Sequence, residues 1–222
     1  MKNKFLFGVL AGLFAVGGAW AQSAGSIVVY GGAVQIKPEV KSGDLSVPAW
    51  PGTKVDVKNA TQFVGGITYY WTDNISIDLP IGLPFEHDVV GAGAIEGTGK
   101  LGSVKSMPMT LLAQYRFGGA DSKLRPFVGA GLTYGKFFKP KATAALSGVT
   151  GGTPSNPTLL RMKSKLGSTV ELGLAYNVTP DWSTSLSVTK TFIKTDGSLS
   201  TGQTIETTLD PVSFKFGIGY RF

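Results

Sequence analysis

A regular alternation of bulky apolar residues with small or polar ones recurs along this chain, and it limits the possible folds more than any other feature. The last nine residues, "FKFGIGYRF" (214–222), carry an aromatic or aliphatic residue at every second position. Alternate residues of a β-strand face opposite sides of a sheet, so one face of this segment is wholly apolar. The same pattern predicts eight strands, near residues 26–37, 58–71, 75–85, 108–118, 125–138, 166–177, 182–194 and 211–222.

The connections between the predicted strands alternate between long and short. In order along the chain they lie near residues 38–57, 71–74, 86–107, 118–123, 139–165, 177–181 and 195–210. This order puts the short turns at one end of the sheet and the long loops at the other. We therefore expect an all-β, up-and-down antiparallel sheet, and eight strands are enough to close it into a barrel.

Two kinds of barrel fit this pattern. In a soluble barrel the bulky apolar face would point inward around a ligand, whereas in a membrane barrel it would face lipid. The opposite face is crowded with glycine, and the interior of an eight-stranded barrel is only just wide enough for side chains. The pattern therefore predicts an eight-stranded antiparallel up-and-down transmembrane β-barrel. Aromatic residues near strand ends, such as Phe85 and Trp182, are expected to form its interfacial girdles.

The first 21 residues have the features of a cleaved signal peptide. Lys2 and Lys4 precede an apolar run at 5–18, which ends at "AWA" (19–21). The alternative, a membrane anchor, would need roughly 20 apolar residues, and this run is shorter. We expect export, cleavage after Ala21, and a single outer-membrane barrel domain over residues 22–222.

The charge balance is basic, with 21 Lys and Arg residues against 14 Asp and Glu residues. An exported chain does not meet nucleic acid, so an anionic partner is expected on the cell surface. No acidic residue lies between Ser122 and Val170. The basic residues of that stretch that flank the third long loop are predicted to contact lipopolysaccharide phosphates, the alternative being a solvated loop base. They are Lys136, Lys139, Lys141, Arg161, Lys163 and Lys165.

Alternation places several charged residues inside the predicted barrel. They are Asp78, Arg116, Glu171, Lys215 and Arg221. Charges in a narrow lumen must be paired or hydrated. We therefore predict a salt-bridged plug, with Asp78 beside Arg116 and Glu171 level with Lys215, and the alternative is a charged path for ions. The predicted apolar lining of the lumen consists of Val29, Val64, Leu112, Phe127 and Ile193.

Two residues need a separate explanation. His87 is a candidate for catalysis or metal binding, and Lys190 is a charged residue on the side expected to face lipid. His87 is the only histidine and there is no cysteine, so neither a metal site with three or four ligands nor a disulfide is predicted. A hydrolase would need an activated serine beside a histidine and a carboxylate, and nothing marks such a serine. We expect no cofactor and no enzymatic activity. Lys190 falls on the lipid-facing side, which requires a bulge or a shallow depth.

Four stretches resemble the OmpW family of small outer-membrane proteins. They are "LPFEHDV" (83–89), "MPMTLLAQYRF" (107–117), "LRPFVGAGLTYGKFF" (124–138) and "LDPVSFKFGIGYRF" (209–222). The resemblance spans essentially the whole predicted mature chain. It implies a Gram-negative outer-membrane barrel whose narrow, largely apolar channel passes small hydrophobic molecules across the outer membrane or sideways into it.

The match is poorer in the first long loop and in 139–165, so a particular solute does not carry over. The final aromatic residues, Tyr220 and Phe222, also look like the signal that such barrels present to the barrel-assembly machinery. The alternative function is a structural barrel or a surface receptor that transports nothing. No oligomeric state is implied.

Overall fold

The computed structural model describes residues 23–222, so the predicted signal peptide and its cleavage site after Ala21 lie outside the described residues. Strands dominate the described part of the chain, and one short helix interrupts them. In order, the elements are β1 (Ile27–Lys37), β2 (Lys41–Ser42), β3 (Thr53–Val57), β4 (Ala60–Tyr70), β5 (Ile75–Gly82), β6 (Phe85–Gly93), β7 (Lys100–Arg116), β8 (Leu124–Ala142), α1 (Ala144–Thr150), β9 (Leu160–Met162), β10 (Lys165–Asn177), β11 (Trp182–Phe192), β12 (Lys194–Leu199), β13 (Thr204–Thr208) and β14 (Val212–Arg221).

Eight of these strands close the barrel. Their antiparallel pairings run β1–β4–β5–β7–β8–β10–β11–β14 and return from β14 to β1. The prediction of an eight-stranded antiparallel up-and-down barrel is confirmed. All eight predicted strands are present, and β7 and β8 extend beyond their predicted limits to 17 and 19 residues.

The outer surface of the barrel is apolar. On neighbouring strands, Leu172 and Leu186 are 64% and 61% exposed, whereas Glu171 and Ser187 beside them are buried. An apolar surface of this extent needs a covering partner, and a bilayer supplies one. At the short-turn end Tyr220 packs edge-on against Trp182 and Phe222, with ring centroids 5.0 and 4.9 Å apart. Such aromatic clusters are typical of the membrane–water interface.

Lys190 lies in the outward row of β11, where the sequence predicted a bulge or a shallow depth. The pairing of β11 with β10 is continuous there, with Lys190 opposite Val170. Its ammonium instead lies 2.7 Å from Glu39 Oε2 and donates to the Asp210 carbonyl oxygen at 2.6 Å. The charge is therefore satisfied by partners from the loops at the rim of the barrel.

The long connections fold into a cap. Strands β2, β13, β12 and β9 form a four-stranded sheet, and β3 pairs with β6, which pairs with β7. Ile95, Leu101, Leu146 and Leu199 form an apolar core in this cap. Alternation inside the long connections is too short to reveal these strands, so the sequence indicated loops. No helix within residues 23–222 is both long and apolar enough to cross a membrane.

Gly32 lets the first and last strands of the barrel approach closely. It lies opposite Gly217 in the β1–β14 ladder, which closes the wall. A Cβ added at Gly32 would lie well inside contact distance of the Phe216 carbonyl oxygen and 2.8 Å from Gly217 Cα. A Cβ added at the adjacent Gly31 would meet nothing within 4 Å.

We therefore predict opposite outcomes for two neighbouring substitutions. Gly32→Ala should lower the free energy of unfolding by about 1–3 kcal/mol, because the added methyl overpacks the backbone of β14. Gly31→Ala should leave it unchanged or slightly raise it, because alanine loses less conformational entropy on folding. Urea titration of the refolded barrel, followed by the mobility of unboiled samples in gels, measures both. Equal losses in the two variants would contradict this role of Gly32.

Candidate functional site

A cavity of about 150 Å³ lies inside the long-loop half of the barrel. Most of its wall is apolar and includes Val34, Ile36, Val64, Phe85, Leu112, Phe137 and Ile193. Three of the predicted lining residues, Val64, Leu112 and Ile193, are thus placed together in this wall, and all three are buried. The cavity can hold a small apolar molecule against an apolar wall.

Val29 does not line the lumen, and that prediction is wrong. Its side chain is 43% exposed on the outer face. Strand β1 is apolar on both faces, so alternation alone does not orient it. Tyr30 turns inward instead because its hydroxyl donates to Asp78 Oδ2 at 3.2 Å, and Gly66 leaves the space that this hydroxyl occupies.

A buried ion cluster forms the floor of the cavity. Lys215 Nζ lies 3.3 Å from Asp78 Oδ2 and 3.4 Å from Glu171 Oε1. The carboxylates have further donors: Thr68 Oγ1 donates to Asp78 at 2.6 Å, and Gln114 Nε2 donates to Glu171 at 2.7 Å. Buried charges persist when they are paired and hydrogen-bonded in this way. One lysine thus joins carboxylates from opposite sides of the lumen.

Arg116 supports this floor from below. It donates to Ser76 Oγ at 3.1 Å and to Gln114 Oε1 at 2.7 Å. Its guanidinium also stacks over the ring of Phe127, 4.6 Å from the centroid. The ionic partner of Asp78 is therefore Lys215, where the sequence predicted Arg116.

A second, smaller cavity of about 30 Å³ lies below the floor, toward the short turns. Phe127 is buried against this lower cavity and does not contact the upper one. Lys215 borders both cavities, so the ion cluster separates them. Arg221 lies apart from the cluster at the short-turn rim, where it pairs with Asp181 at 3.3 Å.

The barrel wall contains an unpaired window beside the upper cavity. The β5–β7 ladder has only four residue pairs and ends at Asp78 with Leu112. Pairing to β7 resumes on β6, at Phe85 with Ser106. Between these two pairs, residues 79–84 face residues 107–111 without a ladder. We call this segment of the wall the window.

Prolines and apolar residues border the window. Pro80, Pro84 and Pro108 have no backbone N–H, so they cannot donate to a ladder there. Pro80 and Pro108 also line the cavity. On the outer surface the bordering side chains are apolar and exposed; they are Leu79, Ile81, Leu83, Met109 and Leu111. The window therefore adjoins the cavity on one side and the apolar outer surface on the other.

The window also reverses which side chains face inward. Six residues on one edge oppose five on the other, and a one-residue shift moves a side chain to the opposite face. Phe85 is consequently 3% exposed and lines the cavity, so its predicted place in the outer girdle is wrong. His87 turns inward too, and its Nδ1 lies 2.9 Å from the Lys58 carbonyl oxygen.

The predicted basic cluster divides into two parts. Lys163 and Lys165 lie 3.8 and 2.9 Å from Asp196 Oδ2, and the hydrogen bond from Lys165 holds the pKa of that carboxyl below its usual range. Lys136 continues the outward row of β8 directly after the exposed Tyr134. The remaining residues, Lys139, Lys141 and Arg161, are exposed on β8 and β9.

Comparisons with protein-family models, known proteins and solved structures identify relatives of this chain. The family model described as "OmpW family" matches residues 23–222. Outer membrane protein W of Escherichia coli (strain K12) is 33% identical over 209 residues, covering 93% of this chain and 92% of the relative. Dibenzothiophene metabolism operon protein PahQ of Pseudomonas aeruginosa is 26% identical over 175 residues, covering 78% and 76%. The crystal structure of OprG from Pseudomonas aeruginosa superimposes with a TM-score of 0.81 at 28% identity, covering 91% and 98%.

The floor cluster generates a stability prediction. Lys215→Met should lower the free energy of unfolding by about 3–5 kcal/mol, because it leaves two buried carboxylates without their cation. The matched control is the triple variant Lys215→Met, Asp78→Asn and Glu171→Gln, which removes all three charges and should recover most of that loss. Urea titration in phospholipid vesicles compares the two. If the triple variant is no more stable than the single one, the ion cluster does not hold the floor together.

Proposed function

The chain belongs to the OmpW family of outer-membrane proteins, and from that premise we propose that it conducts small hydrophobic molecules from the cell exterior into the outer membrane. One observation carries the proposal: an apolar cavity ends on a floor of paired charges and adjoins an unpaired window in the barrel wall. The name of PahQ, which refers to dibenzothiophene metabolism, supports it, since that relative is linked by its name to an apolar aromatic compound.

The floor favours apolar solutes that do not cross the whole barrel. A hydrated ion entering the cavity would meet an apolar wall and lose hydration without compensation. Farther down, Lys215 is already engaged by Asp78 and Glu171, so the floor offers no free cation to an anion. Low ion conductance is the expected result.

The window supplies the route out of the cavity. A solute moving through it would pass from the cavity to the lipid-facing side chains without crossing the ion cluster. Transfer of apolar surface from water to an apolar phase is favourable by roughly 25 cal/mol per Å². The membrane itself therefore provides the driving force, and no energy source is required.

We predict that closing the window abolishes uptake. Continuing the register of the last paired residues would put Ile81 opposite Met109, and the described chain contains no cysteine. A disulfide between Ile81→Cys and Met109→Cys should reduce the uptake of radiolabelled naphthalene to that of cells lacking the protein. A reductant should restore it.

The matched control is a disulfide across a continuous ladder. Leu172 and Val188 face lipid opposite each other on β10 and β11, and a Leu172→Cys, Val188→Cys bridge should leave uptake unchanged. Non-reducing gels verify that both bridges form. Unchanged uptake after the 81–109 bridge would exclude the sideways route. Equal uptake with and without the protein would favour the structural or receptor alternative.

We also propose that the basic residues of β8 contact lipopolysaccharide phosphates. Lys136 follows the exposed aromatic Tyr134 at the upper edge of the apolar surface, the depth at which phosphates lie, and Lys139 and Lys141 extend beyond it. Hydrogen bonds from ammonium groups to phosphate are charge-assisted and strong. Lys163 and Lys165 are already paired with Asp196 and are less available.

Charge reversal should reduce lipopolysaccharide binding to a different extent in the two groups of lysines. Lys136→Glu, Lys139→Glu and Lys141→Glu together should reduce the amount of lipopolysaccharide that co-purifies with the barrel. Lys163→Glu with Lys165→Glu should reduce it less. Quantifying lipid A phosphate per folded barrel tests this, and equal amounts in all variants would mean that these lysines are only solvated.

A further inference from the structure

Four threonine hydroxyls form a continuous hydrogen-bonded row across four neighbouring strands of the barrel. Thr110 Oγ1 lies 2.8 Å from Thr133 Oγ1, which lies 2.6 Å from Thr169 Oγ1, which lies 3.0 Å from Thr191 Oγ1. These residues belong to β7, β8, β10 and β11 respectively. Thr110, Thr133 and Thr191 line the upper cavity. We call the four residues the threonine row.

Glycines permit the central bond of the threonine row. In the β8–β10 ladder Thr133 lies opposite Gly167, and Thr169 lies opposite Gly131. Each threonine thus faces a residue without a side chain, and the two hydroxyls meet diagonally between the strands. A Cβ at Gly167 would lie 2.9 Å from Ile193 Cβ, so little larger than glycine fits there. The local sequence of both strands accommodates the row.

The threonine row has one hydrogen-bond donor more than its internal bonds use. Each hydroxyl carries one proton, and three bonds consume three of the four protons. Within residues 23–222 these hydroxyls make no further hydrogen bond. One proton and several lone pairs therefore remain for a partner in the cavity. A buried hydroxyl that lacks a hydrogen-bond partner favours a ligand that supplies the missing hydrogen bond.

The charges around the cavity exclude an anionic ligand. Among the described residues that line the cavity, Lys215 is the only Lys or Arg, and it already joins Asp78 and Glu171. His87 lies outside the eight wall strands, and burial lowers its pKa, which disfavours the charged imidazolium as a partner for an anion. A carboxylate would lose its hydration in the cavity and find no unpaired cation.

We propose that the threonine row binds the uncharged polar head of an amphiphilic solute, such as an alcohol or a phenol, in preference to a pure hydrocarbon or a carboxylate. This inference rests on the proposed function, because it names the class of solute that the same cavity accepts. The cavity volume of about 150 Å³ matches that of an apolar cavity known to accept benzene. The apolar part of the solute would then contact residues such as Val64 and Phe85.

The position of Thr110 connects this binding site to the window. Thr110 belongs to residues 107–111 of β7, which pair with β8 but have no ladder partner on the window side, whereas Thr191 lies on β11, three wall strands away. A polar head bound to the threonine row can therefore exchange one hydroxyl partner for the next as the solute moves toward the window. The polar head need not lose its hydrogen bond before it reaches the membrane interior.

Three ligands with one common ring system test the inference: toluene, benzyl alcohol and benzoate. Their binding to the barrel in lipid nanodiscs is measured against empty nanodiscs, which corrects for partition into lipid. The wild-type protein should prefer benzyl alcohol. The spare proton lies at an end of the row, so the double variant Thr110→Val, Thr191→Val removes both ends and leaves only the more deeply buried Thr133 and Thr169. It should reduce that preference relative to toluene by roughly five-fold, the effect of one hydrogen bond.

Two further variants keep the test decisive. Thr191→Ser retains the hydroxyl and should retain the preference for benzyl alcohol. Thr184→Val removes a hydroxyl from the same strand that donates to the Gly217 carbonyl oxygen and does not line the cavity, so it should change nothing.

The outcomes distinguish the inference from the function on which it rests. Binding of toluene and benzyl alcohol with a preference that is unchanged in the double variant Thr110→Val, Thr191→Val would overturn the inference and leave the proposed function standing. Preferred binding of benzoate would also overturn the inference. Absence of binding of all three ligands above empty nanodiscs would overturn the proposed function as well.

Discussion

A polypeptide inside a bilayer has no water to satisfy its backbone amides and carbonyls, and the architecture of this protein follows from that constraint. Closing eight strands into a ring gives each wall strand two neighbours. The window is the place where this rule is relaxed, and its sequence suits the exception. Three prolines remove donors that would otherwise be unpaired beside lipid. The backbone chemistry that closes the barrel thus also identifies where it can be left open.

The limited volume of the lumen determines how the interior of the barrel is divided. An eight-stranded lumen holds few large side chains, so each inward aromatic or charged residue needs a glycine or a partner nearby. Tyr30 occupies the space beside Gly66, and Phe127 occupies that beside Gly173. Tyr30 and Lys215 together hold Asp78. Below this level the lumen is filled by a polar network, whereas above it the wall is apolar and an open volume remains.

The strands of the barrel could be predicted from the sequence because lipid outside and glycine inside give the two faces different compositions. On β1 both faces are apolar, so alternation does not identify which face points inward, and the sequence assigns Val29 to the wrong side. Phe85 was misassigned because the window shifts the register, and no local pattern reveals a six-against-five mismatch. The pairing of Asp78 with Lys215 and the diagonal bond between Thr133 and Thr169 depend on barrel curvature and stagger. These are properties of the closed ring and not of any one segment.

Because the two edges of the window differ in length by one residue, the alternation of inward and outward side chains is offset by one residue across it. Below it, even-numbered residues of β5 face inward, and above it odd-numbered residues of β6 do. Insertion or deletion of one residue within 79–84 would exchange the two faces of β6 while leaving the lower wall in register. His87 and Phe85 would then turn toward the outside, and Glu86 would turn toward the cavity. Residue number in this short segment, more than residue identity, therefore determines which chemistry the cap presents to the lumen.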